Sequence, residues 1–146
     1  MRTDTTGRYI LLGLVGFFLA FALTIDYRRA AGYFFGDEAV YYMMAQSIAF
    51  DRDLEYTALD LQRVYEDGWH AGPLGVFLTK TDDGKILYAK YPAYSLFLAP
   101  FLAIFGFNGF LALNVLLWSA MIWMGWTYLR QFNASGWSLF VAITLF

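Results

Sequence analysis

The sequence predicts an all-α polytopic membrane protein: transmembrane helices flank a large first external loop that holds juxtamembrane helices and a small β-hairpin. Three observations predict this class. The 146 residues are 60% hydrophobic and 21% aromatic but only 15% charged, with a mean hydropathy of +0.48, too apolar for an ordinary soluble domain of that size. Of the 22 charged side chains, all but Arg2, Asp4, Arg8 and Arg130 lie between Asp26 and Lys90. Two uncharged runs result, residues 9–25 and 91–129. An ionised side chain at the bilayer centre costs a few kcal/mol, so such runs are where a membrane can be crossed. The aromatic content excludes disorder, and the absence of cysteine excludes a disulfide framework or a thiolate zinc site. A net charge of -2 leaves no basic excess to neutralise phosphates, which disfavours nucleic acid as a partner.

After a cytoplasmic N-terminal tail, residues 1–8, the first run YILLGLVGFFLAFALTI has 17 residues and spans roughly 25 Å as a helix, the short end of the transmembrane range. A cleaved signal peptide would end in small residues, whereas this run continues Asp26-Tyr27-Arg28-Arg29, so residues 9–25 read as a retained first span. The second run is broken by Pro92, Pro100 and Gly106-Phe107-Asn108-Gly109. It divides into a short interfacial or re-entrant helix at 94–105 and a second span at 110–129, about 30 Å long. A short cytoplasmic loop, 130–136, leads to an apolar stretch at 137–146, read as the start of a third span. The chain is therefore expected to be the front part of a larger protein, inactive as a 146-residue piece alone.

Arg130 in the short loop marks its side as cytoplasmic, which sets the N-terminus inside and residues 26–93 outside the inner membrane. Within that external loop, Asp37 reads as the N-cap of a mostly apolar helix running to about Phe50 and lying along the membrane surface. A weaker helix covers 57–66, and strands at 76–79 and 86–89 form a hairpin around Asp82-Asp83-Gly84. Asn133-Ala134-Ser135 matches a glycosylation sequon, of little weight in a cytoplasmic loop.

Three groups are candidates for chemistry. Asp37-Glu38 at a helix start is either a capping pair or a carboxylate at the membrane boundary, acting as general base on a hydroxyl or holding a divalent metal. Lys90, immediately before the uncharged run, is either a snorkelling anchor or a phosphate contact, and Arg28 and Arg29 admit the same two readings. His70, the sole histidine, reads as a loop residue, since no second histidine is present for a zinc site. Asp51, Asp53, Glu55, Asp60, Asp82 and Asp83 read as a solvated surface.

The segment GDEAVYYMMAQSIAFDRDLEY resembles the start of the first external loop in polytopic GT-C-type glycosyltransferases. These include the protein O-mannosyltransferases and the aminoarabinose transferase that modifies lipid A. The later AKYPAYSLFLAPFLAIFG resembles their Lys/Pro segment and short apolar helix. The resemblance implies an enzyme that moves a sugar from a polyprenyl-phosphate carrier to an acceptor hydroxyl on a glycan, lipid or protein, at the external face of the membrane. It implies that Asp37 is the catalytic carboxylate with Glu38 beside it, and that Lys90 contacts phosphate, although Tyr91 separates Lys90 from Pro92 here. Arg28 and Arg29 have no motif match and are candidates for the carrier phosphate by position. No cofactor is required by this reading, and a divalent metal stays open. Two other classes remain: a non-catalytic membrane subunit, and part of a transporter or flippase for lipid-linked sugars.

Overall fold

The computed structural model describes residues 5–132 and 137–145. The sequon at Asn133, Arg2 and Asp4 lie outside the described residues. The chain is mostly helical and divides into two compact units.

The first unit joins helix α1 (Thr5–Thr24), helix α6 (Asn108–Leu129) from residue 111 onward, and helix α7 (Trp137–Leu145). Its core is Leu11, Ile122, Trp126, Leu139 and Ala142, with Val15, Trp118, Leu129 and Ile143 packed around it. Phe18 meets Trp118 edge to face at 5.3 Å. The outward surface is just as apolar: Ile10, Leu12, Phe17 and Phe21 on α1, and Leu117, Met121 and Met124 on α6, are exposed. With 20 and 22 residues, α1 and α6 are both long and apolar enough to cross a membrane. Only 17% of the most apolar stretch of α1 and 33% of that of α6 is buried by this chain. Hydroxyls of Thr24, Ser119 and Thr127 bond backbone carbonyls of their own helices. Ser119 Oγ donates to the Val115 carbonyl at 2.6 Å and Thr24 Oγ1 to that of Ala20 at 2.7 Å.

The second unit, residues 25–110, carries nearly all the charge. It opens with a five-residue helix that the sequence did not announce, α2 (Tyr27–Ala31). The Asp26 side chain accepts from the Arg29 N–H at 3.3 Å, and Gly32 ends the helix at φ 73°. An extended stretch follows: the Leu74 N–H donates to the Phe34 carbonyl at 2.9 Å and the Gly36 N–H to that of Leu74 at 2.8 Å.

Helix α3 (Gly36–Gln46) then begins, and it corrects two expectations. Asp37 does not cap it. Phe35 stands at the cap position without a side-chain bond, and Asp37 lies in the first turn with Glu38, because the pairing to Leu74 fixes where the chain turns helical. Nor does α3 offer an apolar face to a membrane surface. Ala39, Val40 and the run Tyr42–Ala45 are buried by the chain itself, chiefly against helix α5 (Ala93–Phe105). The α-helix also stops earlier than expected. A π-helical turn (Ser47–Asp51) follows, closed by Arg52 in the left-handed region at φ 64°, and buried Ser47 donates to Asp53 Oδ1 at 2.8 Å.

Helix α4 (Ala58–Glu66) is set by a reciprocal cap. Thr57 Oγ1 accepts from the Leu59 N–H at 3.2 Å, and the Asp60 carboxylate accepts from the Thr57 N–H at 2.7 Å. Asp60 is thus wholly enclosed, not part of a solvated surface, and it also holds Arg63 at 3.1 Å. The hairpin forms as expected but with shorter strands set closer to the turn, β1 (Leu78–Lys80) pairing antiparallel to β2 (Ile86–Tyr88) with Thr79 opposite Leu87. Gly84 at φ 89° supplies the turn.

Helix α5 starts directly after Pro92 and runs through the exposed Pro100. Its buried face is Ser95, Leu98, Ala99 and Leu102, and Ser95 Oγ donates to the Tyr41 carbonyl at 2.9 Å. A tight turn at Gly106 (φ 58°) leads into α6. Phe107 in this turn is the centre of an aromatic cluster. Its ring lies 4.5 Å from Tyr42, 4.9 Å from Tyr27, 5.5 Å from Trp69 and 5.9 Å from Phe34.

Candidate functional site

The two ends of the charged segment meet. Lys90 Nζ lies 2.8 Å from Asp37 Oδ1, joining the residue just ahead of α5 to the first turn of α3. The Lys90 ammonium also stands 5.2 Å over the Phe77 ring, a contact worth a fraction of a kcal/mol to about 1 kcal/mol when exposed. Lys90 is 29% exposed and Asp37 60%, so the carboxylate faces outward while the stem of the lysine is covered. The hydrogen bond to Asp37 holds the Lys90 ammonium above its ordinary value, and the nearby Tyr41 hydroxyl acts in the same direction. The ammonium therefore stays charged across physiological pH.

Glu38 is turned differently from its neighbour. One carboxylate oxygen, Oε1, is buried without a hydrogen-bond partner among the described residues. The Tyr27 hydroxyl bonds the same carboxylate, and burial of the phenol together with that anion pushes Tyr27 up to about 12. The Tyr27 ring is in turn stacked on Phe107. The adjacent acids thus have separate roles in the fold: Asp37 pairs with a lysine at the surface, and Glu38 leans on α2 and the aromatic cluster.

Arg28 engages a different part of the unit. Its Nη1 donates to the Asp67 carbonyl at 2.5 Å and packs against Gly68, where an added Cβ would lie 2.3 Å from it. The Asp67 carboxylate beside it accepts from Tyr42 Oη at 2.9 Å and Gln46 Nε2 at 2.8 Å, and with burial this pushes the Tyr42 phenol up. Arg29 has an exposed side chain and contributes its backbone N–H to Asp26. His70 stands exposed in the loop after Gly68. Of the five residues singled out for chemistry, the structure brings Asp37 and Lys90 together, keeps Glu38 adjacent but inward, and sets Arg28 among other partners.

Sequence reasoning missed Tyr27, Tyr41 and Phe77 as neighbours of these groups. No spacing rule links them to residues ten to fifty positions away; only the folded unit does. For a divalent metal, Asp37 and Glu38 offer two carboxylates, but no group of three or more His, Asp or Glu converges among the described residues. Comparison with protein-family models, with curated proteins and with solved structures returns no match to the chain.

Proposed function

We propose that this chain carries the first external loop and flanking spans of a GT-C-type integral membrane glycosyltransferase. It would move a sugar from a polyprenyl-phosphate carrier to an acceptor hydroxyl at the outer face of the inner membrane. The observation that supports this reading most is the Asp37–Lys90 contact at 2.8 Å, an exposed carboxylate beside a cation that stays charged. With α1 and α6 as true spans, a carrier too apolar to leave the membrane presents its phosphate at the bilayer boundary.

In the proposed reaction Asp37 accepts the proton of the acceptor hydroxyl as that oxygen attacks the anomeric carbon. The bond from that carbon to the carrier phosphate oxygen breaks, and the phosphate leaves as an anion. Lys90, already held beside Asp37, donates to the departing oxygen and stabilises its developing charge. Glu38 fixes the first turn of α3 through Tyr27.

The test is transfer from radiolabelled polyprenyl-phosphate sugars in membranes carrying the complete reading frame. Asp37→Asn abolishes transfer without changing membrane insertion, and Lys90→Gln lowers kcat by about 100-fold or more, as loss of a charge-stabilising donor does. Normal transfer by Asp37→Asn would refute the assignment.

A further inference from the structure

A second place in the loop unit has the chemistry of an anion site. A pocket of about 250 Å³ is lined by Arg28, Tyr33, Phe34, Gly68, Trp69 and His70, with Gly32, Ala71 and Gly72 completing its rim. No carboxylate lines it. The nearest acid in the chain, Asp67, has its carboxylate engaged by Tyr42 and Gln46. Arg28 is oriented through Nη1 alone, which leaves Nη2 and Nε without a hydrogen bond among the described residues. The backbone N–H groups of His70 and Ala71 likewise bond nothing among the described residues, whereas those of Gly68, Trp69 and Gly72 are all used.

The pocket therefore collects donors and no side-chain anion. A guanidinium held by one corner still presents a fork suited to two oxygens of one group. Neighbouring free backbone N–H groups in a glycine-rich loop suit the same oxyanion. Gly68 is required for this placement: it adopts φ 87°, and any Cβ there would strike the Arg28 guanidinium. At about 250 Å³ the pocket is below the size of a drug-like ligand site and suits a headgroup-sized anion.

We propose that this pocket binds a phosphate-bearing group through Arg28 and the His70–Ala71 backbone, as a site separate from the Asp37–Lys90 pair. The proposal stands whether or not the chain is a transferase. Its ligand is a phosphoryl oxyanion, from either an anionic lipid headgroup or a soluble phosphate.

The sequence provides its own reporter, since His70 is the sole histidine. The imidazole proton resonances of His70 are followed at fixed pH and ionic strength, with the protein in phosphatidylcholine nanodiscs titrated with inorganic phosphate. A second preparation uses nanodiscs of equimolar phosphatidylcholine and phosphatidylglycerol. A saturable shift with inorganic phosphate identifies a soluble ligand, and a shift only in the anionic nanodiscs identifies the headgroup. In either case the response weakens at least about tenfold in Arg28→Gln and is unchanged in Asp37→Asn and Lys90→Gln. If Arg28→Gln fails to fold, Ala71→Asp, at an exposed position, decides by putting a carboxylate at the rim and removing the response. No saturable shift in either preparation, or one that survives the folded Arg28→Gln or Ala71→Asp variant, overturns the site. Transfer activity plays no part in this readout, so it fails or succeeds apart from the proposed reaction.

Discussion

Asp60 shows what enclosure does to an acidic residue in an otherwise hydrophilic loop. Its carboxylate takes the Thr57 N–H and Thr57 Oγ1 as well as Arg63, all without exposure to water. Truncation to alanine leaves Arg63 with Asp51 as its remaining carboxylate partner, removes half of a capping box and leaves the enclosed Thr57 donors unmatched, so Asp60→Ala costs about 2–3 kcal/mol. Thr57→Ala, which removes only the cap, costs about 1 kcal/mol. Denaturant unfolding in detergent micelles distinguishes the two. Tyr27 gives a prediction in pH. Its phenol is pushed up to about 12 from an ordinary value of 10.0, so the stability it contributes is complete below pH 10 and is lost as pH rises toward 12. Tyr27→Phe is therefore less stable than the parent by about 1 kcal/mol below pH 10, a figure kept small because the hydroxyl is partly solvated. The gap closes by pH 12, as unfolding midpoints across that range would record. The same sign applies to Lys90, whose ammonium is held up by Asp37. These environments were hidden in the sequence. Asp60 and Asp82 look alike in a charged loop, and only the Thr57 cap three residues earlier, a Thr-x-x-Asp variant of the usual motif, hinted that one of them turns inward.

Helices were legible where one signal dominated. The charge-free runs predicted α1 and α6, the weaker stretch at 57–66 came within a residue of α4, and Pro92 and Gly106 bracketed α5. What failed was inference about surroundings. Helix α3 reads as an interfacial helix because its residues are apolar, yet its apolar residues are covered by α5 and by the rings of Phe34 and of Phe107 in the α5–α6 turn. Helix α2, five residues set by Asp26, is too short for any periodicity. The π-helical turn has no composition signature either, and such turns add a residue to the helix just where Ser47 must reach Asp53. The α5–α6 turn depends on closeness: a Cβ on Gly109 would lie 2.4 Å from the Phe101 carbonyl oxygen, a backbone atom that cannot step aside. Gly109→Ala should force the two helices apart and lower the unfolding midpoint in detergent, whereas Gly13→Ala, with open space around its added methyl, should not.

At the scale of the molecule, two long apolar helices bear outward hydrophobic surfaces, and the segment between them concentrates the charge. A chain with no cysteine is ready for accessibility mapping. Under the proposed topology, Asp82→Cys reacts with a membrane-impermeant maleimide added outside intact cells, and Phe17→Cys reacts only after detergent. Asp37 and Lys90 were each singled out from the sequence as candidates, but their meeting was not, because their 53-residue separation is closed by tertiary packing and not by any local rule. That separation is exceeded by another. Phe107, the ring on which Tyr27, Phe34, Tyr42 and Trp69 converge, lies 70 residues after Asp37. On the ribosome, at about 5–20 residues per second, the helix bearing the carboxylate waits roughly 4–14 s for the residue that closes its core. For that interval its buried tyrosine and methionines have no native cover, so the nascent segment is a client for whatever holds hydrophobic chains as they emerge.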